Sequence, residues 1–267
     1  MAASNLKTRT ITGAILVLFI LFFLWIDHII LPIFMLTFVT FASNEYFRFW
    51  HRKDIYPHTL AVLFPIYALT LLAYFESPLL IPGFILMIFI CSLSIMRFPG
   101  ARRTQNFLAE AAAGFFGIVY LSMLPITIIL LRKISFTVCL MPFLLTWLYD
   151  TFAYLVGSAF GKHKLAPTLS PKKTWEGTLF ALPLTFLFTV LLSKWWLASC
   201  DVVPCIILTL GIGLLGTLGD LFESGMKREV GLKDTSQVFP GHGGFLDRID
   251  SLIFTVPFFY FYLTLFK

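Results

Sequence analysis

The stretch VVPCIILTLGIGLLGTLGDLFES, residues Val202–Ser224, decides the fold class. Its first 18 residues carry no charge, and a helix of that length crosses the hydrocarbon core of a bilayer, which is about 30 Å thick. Two acids, Asp220 and Glu223, follow within one helical turn of each other. The stretch therefore predicts a membrane-spanning helix whose end carries acidic side chains.

Most of the chain has the same apolar character. It has 267 residues, of which 58% are hydrophobic and 13% are charged, too few charges for the surface of a soluble domain. The apolar runs are continuous, whereas the strands of a membrane barrel alternate apolar and polar positions. The first run, Ile11–Ile26, is interpreted as a retained helix because no small-residue cleavage site follows it. We therefore predict an all-α polytopic membrane protein.

Nine candidate transmembrane helices can be placed on the sequence. They lie at residues 9–26, 29–47, 58–75, 79–96, 107–131, 134–155, 175–195, 202–224 and 246–266. Residues 1–106, with four spans, are assigned to an N-terminal membrane region, and residues 107–267, with five, to a C-terminal membrane region. The second region carries polar loops at 156–174 and 225–245.

Cations are distributed unequally between the two sides that nine spans create. Sixteen of the 20 Lys and Arg residues fall on the side of the N-terminus and four on the other side. Because cations are enriched in cytoplasmic loops, this bias places the N-terminus and the long loops in the cytoplasm and the C-terminus on the opposite side. Topology and anionic headgroups explain the clusters at Arg48–Lys53 and Arg97–Arg103, but not the acids among the later cations.

Acids from three spans are expected at one depth near the cytoplasmic surface. Asp220 and Glu223 end span eight, and Asp150 lies near the inner end of span six. Asp247 and Asp250 begin span nine, where their i, i+3 spacing predicts one helical face. Charges at this depth are costly unless they are paired, hydrated or bound to a metal. Carboxylates without a Cys or His cluster suit Mg²⁺ or Mn²⁺, and salt bridges between helices are the structural alternative.

The segment between spans eight and nine combines glycines with cations. The run Pro240–Gly244 precedes a predicted helix start, where backbone N–H groups such as those of Gly243 and Gly244 can surround an anion. Within it, a phosphate donor, a base and a structural turn residue are the three interpretations of His242, and the donor is favoured over the base. Cations flank the run at Lys227, Arg228, Lys233 and Arg248. Between acids that can bind a metal, this pattern favours a phosphate-bearing substrate.

A second basic segment, GKHKLAPTLSPKKTWEG (Gly161–Gly177), occupies the preceding cytoplasmic loop. Thr174 is predicted to cap the helix of span seven, and Pro171 is predicted to lie in a turn. Lys172 and Lys173 add cations on the same face as the acids. The chain contains no G-x-x-x-x-G-K-[ST], H-E-x-x-H or G-x-S-x-G motif, so the segment is not a P-loop.

Three blocks of residues resemble the phosphatidate cytidylyltransferases, also called CDP-diacylglycerol synthases. The longest reads Ser224-x-Met226-Lys227-Arg228-x4-Lys233-Asp234-x-Ser236-x2-Phe239-Pro240-x-His242-Gly243-Gly244-Phe245-x-Asp247-Arg248-Ile249-Asp250. The others read Asp150-x2-Ala153-Tyr154-x2-Gly157-x3-Gly161-Lys162 and Ser170-Pro171-Lys172-Lys173-Thr174-x-Glu176-Gly177. The resemblance is specific from Asp150 to Asp250, and the first five spans resemble the family only in hydropathy and number.

The resemblance implies a Mg²⁺-dependent transferase of the inner membrane that moves CMP from CTP to phosphatidic acid, giving CDP-diacylglycerol and pyrophosphate. It implies that residues 107–267 are catalytic and that the active site faces the cytoplasm. Membrane lipids are expected partners and nucleic acid is not. Family members form dimers, but no GxxxG-type signal settles the question here, so a homodimer is left open. Mn²⁺ could replace Mg²⁺, and a second or monovalent ion could take part.

The resemblance and the residue patterns together define the candidate site residues. Metal ligands are expected at Asp220, Asp247, Asp250 and Glu223. Catalytic roles are expected for Asp220, Asp247, Lys227 and Arg248. Substrate binding is expected at Asp150, Lys172, Lys173, Thr174, Glu176, Ser224, Arg228, Lys233, His242, Gly243 and Gly244.

Two other classes of function remain open at this point. A CTP-dependent polyprenol or phytol kinase would transfer the γ-phosphoryl group and release CDP. A transporter also uses acids within the membrane and glycine-broken helices, but it would place the acids near the midplane and matching breaks in both halves. Here the acids lie near one face, and only the C-terminal half is polar.

Overall fold

The computed structural model describes residues 2–26, 29–86, 106–196, 201–239, 241 and 243–266. The α-helices in this part of the chain are α1 (Ala2–Trp25), α2 (Ile30–His51), α3 (Thr59–Tyr74), α4 (80–86), α5 (Phe107–Ile134), α6 (Phe136–Phe160), α7 (Trp175–Trp196), α8 (Val202–Glu229) and α9 (Leu252–Phe266). An antiparallel hairpin of β1 (Lys164–Ala166) and β2 (Ser170–Thr174) precedes α7, and a 3₁₀ turn at Leu246–Arg248 precedes α9.

These helices confirm the predicted polytopic, all-α membrane fold. Five of them are long and apolar enough to cross a bilayer, namely α2, α5, α6, α7 as far as Ser193, and α8. Shorter apolar helices lie at Thr12–Trp25, α3 and α9. Residues 87–96 of span four and the cluster Arg97–Arg103 lie outside the described residues. The orientation of the termini stays a prediction.

Two predicted loops begin later in the chain than the sequence suggested. The loop predicted at 156–174 begins after Phe160 and contains the β1–β2 hairpin, so Pro171 lies in a strand and not in a turn. The loop predicted at 225–245 begins after Glu229, because α8 continues beyond its apolar part. Hydropathy marks where a helix leaves hydrocarbon, whereas the helix itself ends where its last carbonyls find other partners.

Gly231 provides those partners at the end of α8. The residue has a φ of +70°, a conformation that glycine adopts without steric cost. The Leu232 N–H donates to Lys227 O at 2.8 Å and the Gly231 N–H donates to Arg228 O at 3.0 Å. This pair of bonds is a Schellman motif, which satisfies carbonyls of the last helical turn.

The start of span nine was predicted wrongly. Residues 246–251 form the 3₁₀ turn and further turns, and α9 begins at Leu252, so Asp247 and Asp250 do not share a face of this helix. Here aspartate side chains accept hydrogen bonds from nearby backbone N–H groups, and such local bonds compete with helix formation. The Asp250 carboxylate accepts from the Ser251 N–H at 2.7 Å, and the Asp247 carboxylate accepts from the Gly244 N–H at 2.8 Å.

The chain divides into two compact units. The first consists of Met1–Leu130 and Asp234–Asp247. Its core includes aromatic contacts, such as the stacked rings of Phe23 and Phe34, whose centroids are 4.0 Å apart. The fully buried Tyr46 of α2 donates from its hydroxyl to Ala113 O of α5 at 2.6 Å. Segment 234–247 therefore belongs to the N-terminal helices although it lies far from them in sequence.

The second unit consists of Leu131–Lys233 and Arg248–Lys267. Buried hydroxyl groups join its helices: Thr146 of α6 donates to Thr255 of α9 at 2.9 Å, and Thr209 of α8 donates to Thr189 of α7 at 3.0 Å. Such bonds satisfy polar groups that find no water in a bilayer core. The same unit contains the hairpin and the acids Asp150, Asp220 and Asp250.

Candidate active site

An ion pair joins the hairpin to α8 in the second unit. Lys173 of β2 places Nζ 2.6 Å from Asp220 Oδ2, and both side chains are about one-quarter exposed, at 24% and 29%. Asp220 Oδ1 also accepts from Ser224 Oγ at 3.3 Å, one helical turn further along α8. The pair lies near the polar end of the apolar helix α8. Charged side chains at this position need a partner, and water still reaches them.

Two more carboxylates interact with this ion pair. Asp150 of α6 is close enough to Lys173 and Asp220 for electrostatic interaction with both. Burial raises the pKa of Asp250, and repulsion from Asp220 and Asp150 raises it further, to about 7, although the Ser251 N–H and Lys227 oppose the shift. The second unit therefore holds three acids in one mutually repulsive group, which a cation would stabilise.

A close approach between backbones brings Asp220 and Asp250 together. A Cβ atom on Gly219 would clash with the backbone oxygen of Asp250, and it would lie 2.9 Å from the ring of Phe254. Glycine at position 219 therefore lets α8 contact the turn before α9 directly. This close approach positions the next residue, Asp220, near the carboxylates of Asp150 and Asp250.

Glu223 and Lys227 form a separate, buried ion pair. Lys227 Nζ lies 2.6 Å from Glu223 Oε2, one turn apart on α8, with side-chain exposures of 10% and 0%. The expected metal ligand Glu223 and the expected catalytic residue Lys227 thus contact each other. Their charges compensate inside the unit, which is the arrangement that makes a buried charge tolerable.

The hairpin is held in place at several points. Arg228 at the end of α8 donates from Nε to Leu169 O, in the hairpin turn, at 3.3 Å and from Nη1 to Leu232 O at 3.1 Å. Thr174 Oγ1 accepts from Gly177 N at 3.2 Å and so caps α7, as predicted. These hydrogen bonds fix the conformation of the basic segment Gly161–Gly177, and with it the position of Lys173.

Glu176 closes the base of the hairpin. Its carboxylate accepts from the backbone N–H of Lys162 at 3.1 Å and of His163 at 3.2 Å, and Oε1 lies 2.6 Å from His163 Nδ1.

The remaining predicted phosphate-binding cations differ in exposure. Lys172, Lys233 and Arg228 are exposed, and Arg248 is partly buried. Whether any of these side chains binds substrate stays a prediction.

In the first unit, a buried glutamate binds the segment 234–247. Glu45 of α2 is 3% exposed. Four donors of that segment lie within hydrogen-bond distance of its carboxylate, namely Thr235 Oγ1 at 2.8 Å, Ser236 Oγ at 2.6 Å, Phe245 N at 3.0 Å and Leu246 N at 2.9 Å. We call this arrangement of Glu45 and its four donors the Glu45 clamp.

Asp247 is bound within the same network. Its Oδ2 accepts from Thr235 N at 2.8 Å, Thr235 Oγ1 at 2.7 Å and Gly244 N at 2.8 Å. The Thr235 hydroxyl lies within hydrogen-bond distance of both the Asp247 and the Glu45 carboxylate, and its single hydrogen can be donated to only one of them at a time. Backbone N–H groups of the glycine-rich segment do point at anions, as expected, but in this structure the anions are two of the chain's own carboxylates.

A cavity of about 490 Å³ opens beside the clamp in the first unit. Phe41, Phe47 and Phe245 give it apolar walls, and Arg48 and His51 give it a basic edge. The rings of Phe41 and Phe245 stack at 5.0 Å between centroids. Its size and mixed lining are typical of small-ligand pockets.

The predicted site residues are thus divided between the two units. Asp150, Asp220, Asp250 and Lys173 form one group in the second unit, whereas Asp247, Gly243 and Gly244 lie in the first. The expected pairing of Asp220 with Asp247 stays a prediction, and His242 lies outside the described residues. Among the described residues, no set of three or more His, Cys, Asp and Glu side chains is arranged to hold a metal ion.

A model of the cytidylyltransferase family matches residues 7–266, almost the whole chain. The chain belongs to the cytidylyltransferase family. The match covers residues of both units, including those of the first five helices, for which the sequence blocks gave no specific resemblance.

The curated proteins that this chain matches include phosphatidate cytidylyltransferases of several bacteria. The chain is 50% identical over 125 residues to the phosphatidate cytidylyltransferase of Haemophilus influenzae, an alignment that covers 45% of this chain and 43% of the relative. It is 42% identical over 118 residues to that of Staphylococcus epidermidis, covering 44% and 45%. It is 45% identical over 115 residues to that of Staphylococcus aureus, covering 43% and 44%. The chain thus spans less than half the length of these relatives in each alignment.

The sequence reasoning on this cytidylyltransferase missed Glu45. A signal was present, because Glu45 is an acid within the apolar span two, and such a residue is a functional candidate by default. The cations that follow it, Arg48 to Lys53, are explained by membrane topology, and Glu45 itself was overlooked. Its partners, some 190 residues away along the chain, could be identified only from the fold.

Proposed function

We propose that this protein transfers CMP from CTP to phosphatidic acid and releases pyrophosphate. The observation that carries the proposal is the 50% identity to a phosphatidate cytidylyltransferase within a chain that matches the family model from residue 7 to 266. The group of Asp150, Asp220, Asp250 and Lys173, which combines acids with a cation, supports the proposal that this chemistry takes place in the second unit. The protein would act at the cytoplasmic face of the cell membrane, where CTP and the lipid phosphate meet.

The acids suit a divalent cation. All of their donor atoms are carboxylate oxygens, which Mg²⁺ prefers, and their mutual repulsion is the electrostatic condition that a cation relieves. We propose Asp220 and Asp250 as ligands within the second unit, with Glu223 as a further carboxylate of that unit. From the resemblance we also propose Asp247. When bound, Mg²⁺ would neutralise phosphate charge and polarise the phosphoryl group. Mn²⁺ is a chemical alternative.

The chain's own residues would position two polyanions. An oxygen of the lipid phosphate attacks the α-phosphorus of CTP, the new P–O bond forms, and the bond to the β-phosphate breaks as pyrophosphate leaves. The lipid phosphate is already ionised near neutral pH, so no strong general base is required. Lys173 is held by the ordered hairpin, which favours a role in orienting the triphosphate. Lys172, Arg228, Lys233 and Arg248 are proposed as further phosphate contacts.

The proposal is tested with purified protein, CTP labelled at the α-phosphate, Mg²⁺ and phosphatidic acid in mixed micelles. The expected result is label in the lipid fraction with stoichiometric pyrophosphate. Label in CDP together with a phosphorylated lipid alcohol would indicate the kinase alternative instead. Absence of label from lipid with both kinds of acceptor, in protein that retains its helical circular dichroism, would refute the assignment.

A further inference from the structure

Glu45 is a carboxylate in an unusual place. It lies on the membrane-spanning helix α2 and is 3% exposed, and burial of an ionised carboxylate is costly unless hydrogen bonds compensate for it. The Glu45 clamp supplies four donors at 2.6–3.0 Å. All four donors belong to the glycine-rich segment 234–247. Glu45 therefore binds this segment.

The donors are located near both ends of this segment. Thr235 and Ser236 lie near its beginning, and the N–H groups of Phe245 and Leu246 immediately precede Asp247. One carboxylate therefore fastens both ends of the segment to α2. The intervening residues Phe239 and Gly243 form a backbone bridge, with a hydrogen bond of 2.9 Å, which closes the segment on itself.

The Thr235 hydroxyl connects Glu45 to Asp247. Its oxygen lies 2.8 Å from Glu45 Oε2 and 2.7 Å from Asp247 Oδ2. The N–H groups of Thr235 and Gly244 donate to Asp247 Oδ2, and the Thr235 hydroxyl lies beside the same oxygen, so the position of Thr235 sets the orientation of the Asp247 carboxylate. Because Glu45 contacts Thr235, it influences the orientation of Asp247 indirectly, through Thr235.

We propose that Glu45 is a positioning residue, which holds segment 234–247 so that Asp247 is presented for cation and substrate binding. The inference rests on the proposed function through the role of Asp247. Hydrogen-bond partners behind a metal ligand typically contribute 10- to 100-fold to affinity or activity, so we expect an effect of about that size when the clamp is removed.

The competing explanation is that Glu45 only stabilises the fold. Glu110 provides a matched control, because it is a second buried carboxylate of the same unit, 7% exposed, and its carboxylate accepts from Tyr56 N at 3.4 Å, not from segment 234–247. A general loss of packing should affect Glu45→Gln and Glu110→Gln alike. A positioning role should affect the segment and the cation requirement in Glu45→Gln alone.

The experiment compares wild type, Glu45→Gln and Glu110→Gln in detergent. Hydrogen–deuterium exchange of segment 234–247 should accelerate about 10-fold or more in Glu45→Gln, chiefly at Phe245 and Leu246, and should stay unchanged in Glu110→Gln. The Mg²⁺ concentration for half-maximal CMP transfer should rise on the order of 10-fold in Glu45→Gln, with kcat partly restored at high Mg²⁺. Glu45→Asp, which keeps the charge but shortens its reach, should give intermediate values.

Unchanged exchange in segment 234–247 of Glu45→Gln, or equal loosening of the whole unit in both variants with an unaltered Mg²⁺ requirement, would overturn the proposal. If Glu45→Gln does not fold, Ser236→Ala removes a single donor and should shift exchange in the same direction by a smaller factor; no shift there would also overturn it. Wild-type protein without CMP transfer would refute the proposed function, while the exchange measurements would still decide the role of Glu45.

Discussion

At the scale of residues, the site consists of carboxylates that differ in their partners. Asp220 is paired with the ammonium of Lys173, Glu223 with that of Lys227, and Asp247 with hydroxyl and amide donors. Burial raises the pKa of Asp250, and the neighbouring carboxylates of Asp220 and Asp150 raise it further. A partly exposed acid such as Asp220, balanced by a single cation, is better suited to exchange partners with a metal–phosphate complex than the fully buried Glu223.

Asp220→Asn and Asp247→Asn should each lower CMP transfer by more than about 100-fold, since a ligand should matter at least as much as its supporting hydrogen bonds. Asparagine keeps the shape but removes the charge, so both variants should extract and melt like wild type. Activity is measured as label transferred from CTP to lipid. Asp201→Asn, at the opposite end of α8 from Asp220, serves as the control. Near-normal turnover in either variant would remove that residue from the proposed metal site.

Lys173→Met should lower kcat/KM for CTP. Hydrogen bonds to charged groups contribute about 1.5–3 kcal/mol, which corresponds to roughly a 10- to 150-fold change in rate. Lys164→Met is the matched control, because Lys164 is an exposed cation of the neighbouring strand β1. The measurement is steady-state kinetics with CTP varied at saturating lipid. Equal effects of the two substitutions would assign Lys173 to the general positive charge of the hairpin.

At the scale of elements, the hairpin and the turn before α9 add Lys173 and Asp250 to the acids that α6 and α8 supply. The hairpin places Lys173 through its pairing, in which Lys164 lies opposite Thr174 and Ala166 opposite Ser170. The contact of Gly219 with residue 250 places α8. Both arrangements depend on backbone geometry at single residues.

Gly219→Ala should destabilise the second unit and reduce activity. Its Cβ would clash with backbone that cannot move without shifting the turn, and overpacking of this kind costs about 1–3 kcal/mol. Gly225→Ala on the same helix meets only a Leu169 methyl group at 3.9 Å, so it should be neutral or stabilising by up to about 1 kcal/mol. Thermal unfolding in detergent and CMP transfer of both variants provide the comparison. A Gly219→Ala protein as stable and active as Gly225→Ala would contradict the close approach.

The positions of the elements were largely predictable, but some of their ends were not. Spans one to three and five to eight match α1–α3 and α5–α8 because burial in hydrocarbon requires long apolar runs, which are a local property of sequence. The end of α8 and the start of α9 depend on the Schellman motif at Gly231 and on carboxylates that bind nearby N–H groups. Such capping bonds leave weak compositional signals, so hydropathy placed these ends six residues or so away from where they lie.

At the scale of the whole molecule, the distribution of charge predicts the orientation. A cysteine-free background with Lys53→Cys, Lys133→Cys or Lys164→Cys places one thiol at an exposed position in each protein. Lys133→Cys should react with a membrane-impermeant maleimide in intact cells, because it lies on the side with few cations. The other two should react only after the membrane is opened. Labelling of Lys53→Cys or Lys164→Cys in intact cells would reverse the orientation and the proposed cytoplasmic site.

The sequence by itself determined the class of the molecule, because nine long apolar runs leave a bilayer as the only solvent that suits them. It also determined which polar residues could carry chemistry, since charges beside hydrocarbon are too costly to be incidental. Only the tertiary structure decided which of them act together. Glu45 binds residues about 190 positions away, and Lys173 reaches Asp220 across a hairpin that hydropathy did not reveal. Such partnerships depend on three-dimensional packing and hydrogen-bond geometry, which no local pattern of residues encodes.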